Sequence, residues 1–203
     1  MSRSGRMPPP TSRAAAAREA AGPAPVVWMA AAMWIVFLAE AAVRGFDWTR
    51  LGLVAGDAHQ WWGAFTAPFL HAGLAHILGN TVPFLVLGGL VALRSHREFW
   101  EATAGAMLGG GIAAWLLSPR GTVIVGASGL VFGYFAFIVV RAVVPGGRTV
   151  WGAVRDVVIA VVVVALYGGA VAGGILSAGE SVSWQMHLGG AVGGAVVAVA
   201  ARR

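Results

Sequence analysis

The chain has 203 residues, of which 58% are hydrophobic and 11% charged, and its mean hydropathy is +0.78. Soluble domains carry about 25% charged residues, so this composition excludes an ordinary soluble domain and predicts a membrane protein. The absence of cysteine excludes disulfides, thiolate metal sites and a cysteine nucleophile. The net charge of +6 comes from arginine, and the arginines are scattered rather than gathered in one patch, so no nucleic acid is expected as a partner.

Six apolar segments of about the length needed to cross a bilayer follow one another along the chain. Before the first of them, residues 1–25 are rich in Pro, Ala and Arg and are predicted to form a disordered cytoplasmic tail. Residues 26–203 are predicted to form one all-α membrane domain, a bundle of six transmembrane helices. The segments lie at residues 26–43, 72–93, 100–117, 127–144, 155–176 and 185–201.

The arginines predict the orientation of this bundle. With the N-terminus inside, the outer loops hold only Arg44, Arg50 and Arg120 of the fourteen arginines. Cytoplasmic loops of membrane proteins carry an excess of arginine and lysine, so both termini are predicted to be cytoplasmic, in the plasma membrane of a bacterium. The inside arginines are then Arg3, Arg6, Arg13, Arg18, Arg94, Arg97, Arg141, Arg148, Arg155, Arg202 and Arg203.

The first outer loop, residues 44–70, is unusually aromatic. Aromatic side chains favour the headgroup region of a bilayer, so the loop is predicted to lie partly embedded in the membrane interface. Its aromatic residues are Phe46, Trp48, Trp61, Trp62, Phe65 and Phe69.

Polar side chains on the second, fourth and sixth segments share one predicted depth. These three segments run from outside to inside, and His76, Asn80, Ser128 and His187 all lie near their outer ends. At 1.5 Å rise per residue, the four fall within about 10–12 Å of those ends. Polar groups are costly inside a membrane, so this convergence predicts a functional site.

Spacing within the segments indicates how these groups would meet. On the sixth segment His187, Gly190 and Gly194 share a helix face, and Gly129 and Gly133 offer a smooth surface on the fourth. Small residues let two helix backbones approach closely, as a serine hydroxyl must to reach an imidazole. Each feature alone has another interpretation. The serine motif could serve only the packing of helices, and Asn80 could serve only as a hydrogen bond between helices.

Three motifs together resemble the rhomboid family of intramembrane serine proteases. The run from His71 to Asn80 is similar to the family's H-x-x-x-x-H-x-x-x-N signature. The run Gly126-Ala127-Ser128-Gly129 resembles G-x-S-G, and residues 187–194 resemble the H-x-x-G-x-x-x-G of the last helix. The resemblance covers roughly residues 26 to 201 and implies a six-helix rhomboid-like bundle.

The resemblance implies a serine endopeptidase that cleaves transmembrane segments near the extracytoplasmic face with a Ser–His dyad. Ser128 would be the nucleophile and His187 the general base, and His76 and Asn80 would form the oxyanion hole with the Ser128 amide. No metal or cofactor is implied, and the expected partners are transmembrane protein substrates and the lipid bilayer. Supporting positions are Gly126, Gly129, Phe132, Gly190 and Gly194, where Phe132 stands at a position that is often tyrosine in the family.

Two other classes of protein remain as alternatives. One is a catalytically inactive rhomboid-like protein that binds transmembrane clients, although such relatives typically lose the serine or the histidine. The other is a small transporter, which would be expected to show acidic residues in mid-membrane or repeated halves. A zinc intramembrane protease would need H-E-x-x-H, which the sequence lacks.

Overall fold

The computed structural model describes residues 21–201, apart from residues 44, 145, 147 and 177–182. In this part of the chain, six helices of 16 residues or more carry most of the structure. In chain order the helices are α1 (Ala24–Ala42), the short α2 (Gly63–Thr66), α3 (Leu74–Ala92), α4 (His96–Leu117), α5 (Ser128–Val143), α6 (Val150–Leu176) and α7 (Trp184–Ala200).

Each predicted apolar segment overlaps one of the long helices, and α4 and α6 begin four and five residues earlier than predicted. Helix α4 begins at His96 because the Ser95 hydroxyl oxygen accepts hydrogen bonds from the amides of Arg97 and Glu98, which caps its first turn. Helix α6 begins at Val150, and its Asp156 pairs with Arg94 inside the protein. A search for apolar runs misses the charged first turn of α4.

Three helices, α1, α3 and α6, are long and apolar enough to cross a membrane. Helices α5 and α7 are apolar but shorter, with 16 and 17 residues. The count of six spans therefore stays a prediction. The predicted tail lies mostly outside the described residues, and α1 already begins at Ala24, within the tail's last two residues.

The loop between α1 and α3 has more structure than the sequence predicted. It contains three 3₁₀ turns (Trp48–Leu51, Ala58–Gln60 and Ala67–Phe69) and strand β1 (Leu53–Val54). Strand β1 pairs antiparallel with β2 (Val123–Ile124), which precedes α5. The all-α prediction omits this pair because two-residue strands are too short to show alternation. Trp61 and Phe65 of this loop stay exposed, and its placement at the membrane interface stays a prediction.

The core of the bundle is built around Tyr134 of α5. Its ring stacks on Phe99 of α4 with centroids 5.5 Å apart and lies 5.7 Å from Phe84 of α3. Its hydroxyl is 2.7 Å from the Thr103 hydroxyl, which satisfies a polar group that is otherwise fully buried. This cluster fixes the spacing of α3, α4 and α5.

Helix α7 is wedged between α4 and α5 through glycines on two of its faces. A Cβ at Gly190 or Gly194 would collide with the carbonyls of Gly129 and Gly133 on α5. On the other face, Gly189 and Gly193 lie against Gly109 and Gly105 of α4. Glycine-to-glycine contact lets the backbones approach directly, as is common between membrane helices. The sequence predicted the first of these faces and not the second.

A buried ion cluster lies where α3 and α5 end and α6 begins. The Asp156 carboxylate, with a side chain only 3% exposed, is 2.5 Å from Arg94, 2.7 Å from Arg148 and 3.1 Å from Arg155. Arg148 also donates to the Arg141 and Val144 carbonyls at the end of α5. The single carboxylate therefore ties the start of α6 to the ends of α3 and α5.

Replacement of Asp156 by asparagine is expected to lower the free energy of unfolding by about 3–5 kcal/mol, because the half-buried guanidinium groups of Arg94 and Arg148 lose the carboxylate that they share. Unfolding in mixed micelles, followed by circular dichroism, measures the change. The matched control is Glu101→Gln, which breaks the exposed Arg97–Glu101 pair and should cost less than about 1 kcal/mol. Equal losses in the two variants would contradict a structural role for the Asp156 cluster.

Candidate active site

Ser128 is the first residue of α5, and the turn before it depends on Gly126. Gly126 has φ +111°, and its amide donates to the Ala67 carbonyl at 2.8 Å. A Cβ at Gly126 would lie 2.6 Å from Nε2 of His76, so both the backbone angle and the contact require glycine. The first amides of a helix have no acceptor within it, and they lie at the positive end of the helix dipole. The Ser128 amide is therefore placed where it can donate to an anion.

His187 lies in the first turn of α7, where the Ser183 hydroxyl caps the helix by accepting from the Met186 amide at 3.2 Å. The His187 ring is 6% exposed, and its Nε2 is 2.8 Å from the Ser128 hydroxyl oxygen. The ring stacks on Phe132, with centroids 4.0 Å apart and planes 12° from parallel. The serine and histidine thus meet at hydrogen-bond distance across 59 residues of sequence.

The other ring nitrogen determines which tautomer His187 adopts. Nδ1 lies 2.9 Å from the Gly174 carbonyl oxygen, which has no hydrogen to give, so Nδ1 must be the donor. In a neutral imidazole Nε2 is then the acceptor, and the Ser128 hydroxyl donates to it. This is the arrangement that a general base needs toward a serine.

His76 and Asn80 lie in the first two turns of α3, one helical turn apart. The Ala72 amide donates to Nδ1 of His76 at 3.3 Å, so a neutral His76 carries its hydrogen on Nε2. Asn80 donates one amide hydrogen to the His76 carbonyl at 2.9 Å and keeps a second. His76 and His187 therefore hold opposite tautomers, one a donor and the other an acceptor at Nε2.

A single cavity of about 470 Å³ contains the four polar side chains that the sequence singled out. Ser128 and His187 lie on its wall together with His76, Asn80 and Ser183. The starts of α3, α5 and α7 meet at this cavity, so residues distant in sequence share one depth in the bundle. The remaining lining residues are Ala72, Ala75, Gly79, Ile124, Val125 and Met186.

His71 is the first residue of the H-x-x-x-x-H-x-x-x-N motif. It is buried and lies three residues before the start of α3. Its ring centroid is 5.1 Å from that of His76. Burial, together with the charge that His76 can carry, lowers the pKa of His71 to about 4. His71 is therefore uncharged near neutral pH and adds no cation beside the donor group of His76.

Sequence reasoning missed the Gly174 carbonyl as the hydrogen-bond partner of His187. A backbone acceptor leaves no signature in residue type, because every residue carries the same carbonyl. The only signal in the sequence was a glycine pair, Gly173-Gly174, near the end of an apolar segment. Such a pair is common in membrane helices and does not by itself indicate a site.

Comparison with known proteins identifies the class. The model of the rhomboid domain matches residues 58–203, which is most of the chain and includes every polar residue of the cavity. The chain belongs to the rhomboid family. The matched region contains α3 to α7 and the aromatic loop from Ala58 onward.

Several curated proteins are similar to this chain. An uncharacterised protein of Mycobacterium tuberculosis is 42% identical over 144 residues, which are 68% of this chain and 58% of that protein. An uncharacterised protein of Mycobacterium leprae is 39% identical over 144 residues, 68% of this chain and 55% of the relative. YdcA of Bacillus subtilis, whose name assigns it provisionally to the rhomboid proteases, is 31% identical over 119 residues, 54% of this chain and 57% of YdcA. The match thus spans a little over half the length of these relatives.

Proposed function

We propose that this protein is an intramembrane serine endopeptidase that cleaves transmembrane segments of other membrane proteins with Ser128 and His187. The observation that carries the proposal is the 2.8 Å contact between the Ser128 hydroxyl and Nε2 of His187. That contact comes with a tautomer in which Nε2 accepts the serine hydrogen. The histidine is stacked and buried, so the pair is held in place before substrate arrives.

In the first half of the reaction Ser128 attacks the scissile carbonyl carbon. Its hydroxyl proton passes to Nε2 of His187 as the new C–O bond forms, which gives a tetrahedral intermediate with a negative oxygen. The imidazolium then donates that proton to the leaving amine, the C–N bond breaks, and an acyl-enzyme remains on Ser128. The first product leaves with a new amino terminus.

In the second half water replaces the amine. His187 takes a proton from water through Nε2, the hydroxide attacks the ester carbon, and a second tetrahedral intermediate forms. When it collapses, the C–O bond to Ser128 breaks and the proton on His187 returns to the serine oxygen. The second product leaves as a carboxylic acid, and the enzyme is restored.

Three donors would stabilise the oxyanion in both halves. They are Nε2–H of His76, the second amide hydrogen of Asn80 and the backbone amide of Ser128 at the positive end of α5. All three groups are uncharged donors that exist before the reaction starts, so little reorganisation is needed when the negative charge develops. One such donor contributes roughly 2.7–4 kcal/mol to lowering a barrier of this kind.

The proposal places the site toward the extracytoplasmic face of a bacterial plasma membrane. The cavity lies at the starts of α3, α5 and α7, and the Asp156 cluster with its arginines lies toward the ends of α3 and α5. Arginine favours the cytoplasmic side, so this polarity supports six spans with both termini inside. Substrates would be transmembrane helices with small or helix-destabilising residues near the outer face, since the backbone must unwind to expose a carbonyl.

A fluorophosphonate probe tests the nucleophile. The purified protein in detergent is expected to form one covalent adduct, which peptide mass spectrometry should place on Ser128, because the probe reacts with an activated serine and mimics the tetrahedral intermediate. The matched control is Ser183→Ala, since Ser183 lines the same cavity but its hydroxyl bonds to the first residues of α7, Gln185 and Met186. It should label normally while losing about 1 kcal/mol of stability.

Three outcomes of the labelling would overturn the proposal. An adduct on Ser183, or labelling that persists in Ser128→Ala, would assign the chemistry to another residue. No labelling of a folded wild-type protein would favour a rhomboid-like protein that binds transmembrane clients without cutting them.

A further inference from the structure

Nδ1 of His187 donates its hydrogen bond to an unusual partner for a catalytic base. The acceptor is the main-chain carbonyl of Gly174, at 2.9 Å, on α6 rather than on the helix that carries the base. In a Ser-His-Asp triad a carboxylate fills this position, holding the imidazole in one tautomer and stabilising the imidazolium. Here an uncharged carbonyl occupies the same position relative to the ring.

The carbonyl of Gly174 is a suitable acceptor for this ring. Gly174 lies in the last described turn of α6, which the structure follows to Leu176. A carbonyl oxygen has two lone pairs, so it can accept from Nδ1–H of His187. The dipole of its peptide group presents partial negative charge to a ring that becomes positive when it takes the serine proton.

The absence of a side chain at Gly174 is as important as its carbonyl. A Cβ there would lie 2.6 Å from Cζ of Phe132 and 3.1 Å from Nδ1 of His187. When the Phe132 ring shifts, it disturbs its stacking on the imidazole at 4.0 Å, and the imidazole itself must give way at Nδ1. A side chain at position 174 therefore disturbs the stacked pair and with it the direction of Nε2.

We propose that Gly174 is the positioning residue for His187: its carbonyl fixes the Nδ1–H tautomer, and its bare Cα leaves room for the stacked Phe132 and His187 rings. The inference rests on the proposed serine protease function, in which Nε2 of His187 must accept a proton from Ser128. The main-chain carbonyl of Gly174 on α6 then takes the part that the third residue plays in a triad. Gly174 touches no substrate and acts only through His187.

The adjacent glycine provides a matched control for this role. Among the described residues, a Cβ at Gly173 meets no atom within 4 Å, whereas a Cβ at Gly174 meets both rings. The variants Gly173→Ala and Gly174→Ala make the same change in the same helix, with the same gain of up to about 1 kcal/mol in helix propensity. A difference between them therefore reports the contact with the rings.

Kinetics on a transmembrane substrate are expected to separate the two variants. Gly174→Ala should lower kcat on the order of 10²-fold with KM unchanged, since a small misplacement of a catalytic group has that effect. Gly173→Ala should stay within about twofold of wild type. In a Phe132→Leu background, which removes the Cζ atom, Gly174→Ala should cost much less than in wild type, as expected for coupled neighbours. Equal kcat values for Gly173→Ala and Gly174→Ala would overturn the inference.

A second measurement does not depend on activity. Nitrogen NMR of ¹⁵N-histidine-labelled Ser128→Ala protein, with the His187 signals assigned by their loss in His187→Ala, reports which ring nitrogen carries the hydrogen. We expect the Nδ1–H form, with a mixture of tautomers once Gly174→Ala is added. The Nε2–H form at neutral pH would refute the role of Gly174, whatever the labelling of Ser128 shows. If the NMR shows the Nδ1–H tautomer but the probe fails to label Ser128, the protease function is rejected. The contact between His187 and the Gly174 carbonyl would then still hold.

Discussion

Replacement of His187 by alanine is expected to lower kcat for cleavage of a transmembrane substrate by about 10⁴- to 10⁶-fold. Without the imidazole the Ser128 hydroxyl loses the group at 2.8 Å that takes its proton, and no other described base is hydrogen-bonded to it. The leaving amine also loses its proton donor, so both steps of acylation fail. The measurement is single-turnover cleavage in proteoliposomes, with the melting temperature taken on the same preparation.

The control for His187 is His59→Ala. His59 lies exposed in the loop before α2, where it makes its hydrogen bond to Asp57 through the backbone amide. Its replacement should leave kcat within about twofold of wild type. A His187→Ala protein that melts normally and retains more than a few per cent of activity would show that another group takes the serine proton.

Replacement of Asn80 by alanine is expected to lower kcat on the order of 10²-fold with little change in KM, because an oxyanion donor acts mainly in the transition state. Among the described residues, the Asn80 side chain makes one hydrogen bond, to the His76 carbonyl within its own helix. Its loss should therefore cost little stability, about 0.6 kcal/mol by the average for membrane hydrogen bonds. Kinetics and thermal melting of one preparation separate the two effects.

Thr81 supplies the matched control for Asn80. Like the Asn80 amide, the Thr81 hydroxyl donates to the carbonyl four residues earlier, that of Ile77, at 2.7 Å. It also accepts from the Trp34 indole on α1. Thr81→Val should therefore lose at least as much stability as Asn80→Ala and keep its kcat. An Asn80→Ala variant that melts early but cleaves normally would remove Asn80 from the oxyanion hole.

The helices could be predicted from the sequence because bilayer-length apolar runs depend on composition alone. The meeting of Ser128 with His187 was also accessible, since glycines at i+3 and i+7 from His187 indicate a close helix contact. The four-residue spacing between His76 and Asn80 also predicts that the two side chains share one face of a third helix. These inferences depend on the spacing of residue types along a helix, which can be read from the sequence.

Other features were not accessible from the sequence because they depend on main-chain groups or on pairing between distant charges. The Gly174 carbonyl has no residue signature, and a two-residue strand such as Leu53–Val54 has no period. Arg94, Arg148 and Arg155 were interpreted only as topology signals, whereas all three pair with Asp156. Hydropathy counts such charges but does not indicate which of them are buried together.

The central claim is that Ser128, activated by His187, cleaves a peptide bond within a membrane-spanning helix. The most direct measurement reconstitutes purified wild-type and Ser128→Ala proteins in liposomes with a model transmembrane substrate and locates the cleaved bond by mass spectrometry. The predicted result is a single cut within the substrate's membrane segment near its outer end, made by wild type and absent from a Ser128→Ala protein with the same melting temperature. Cleavage by Ser128→Ala at more than a few per cent of the wild-type rate would contradict the claim.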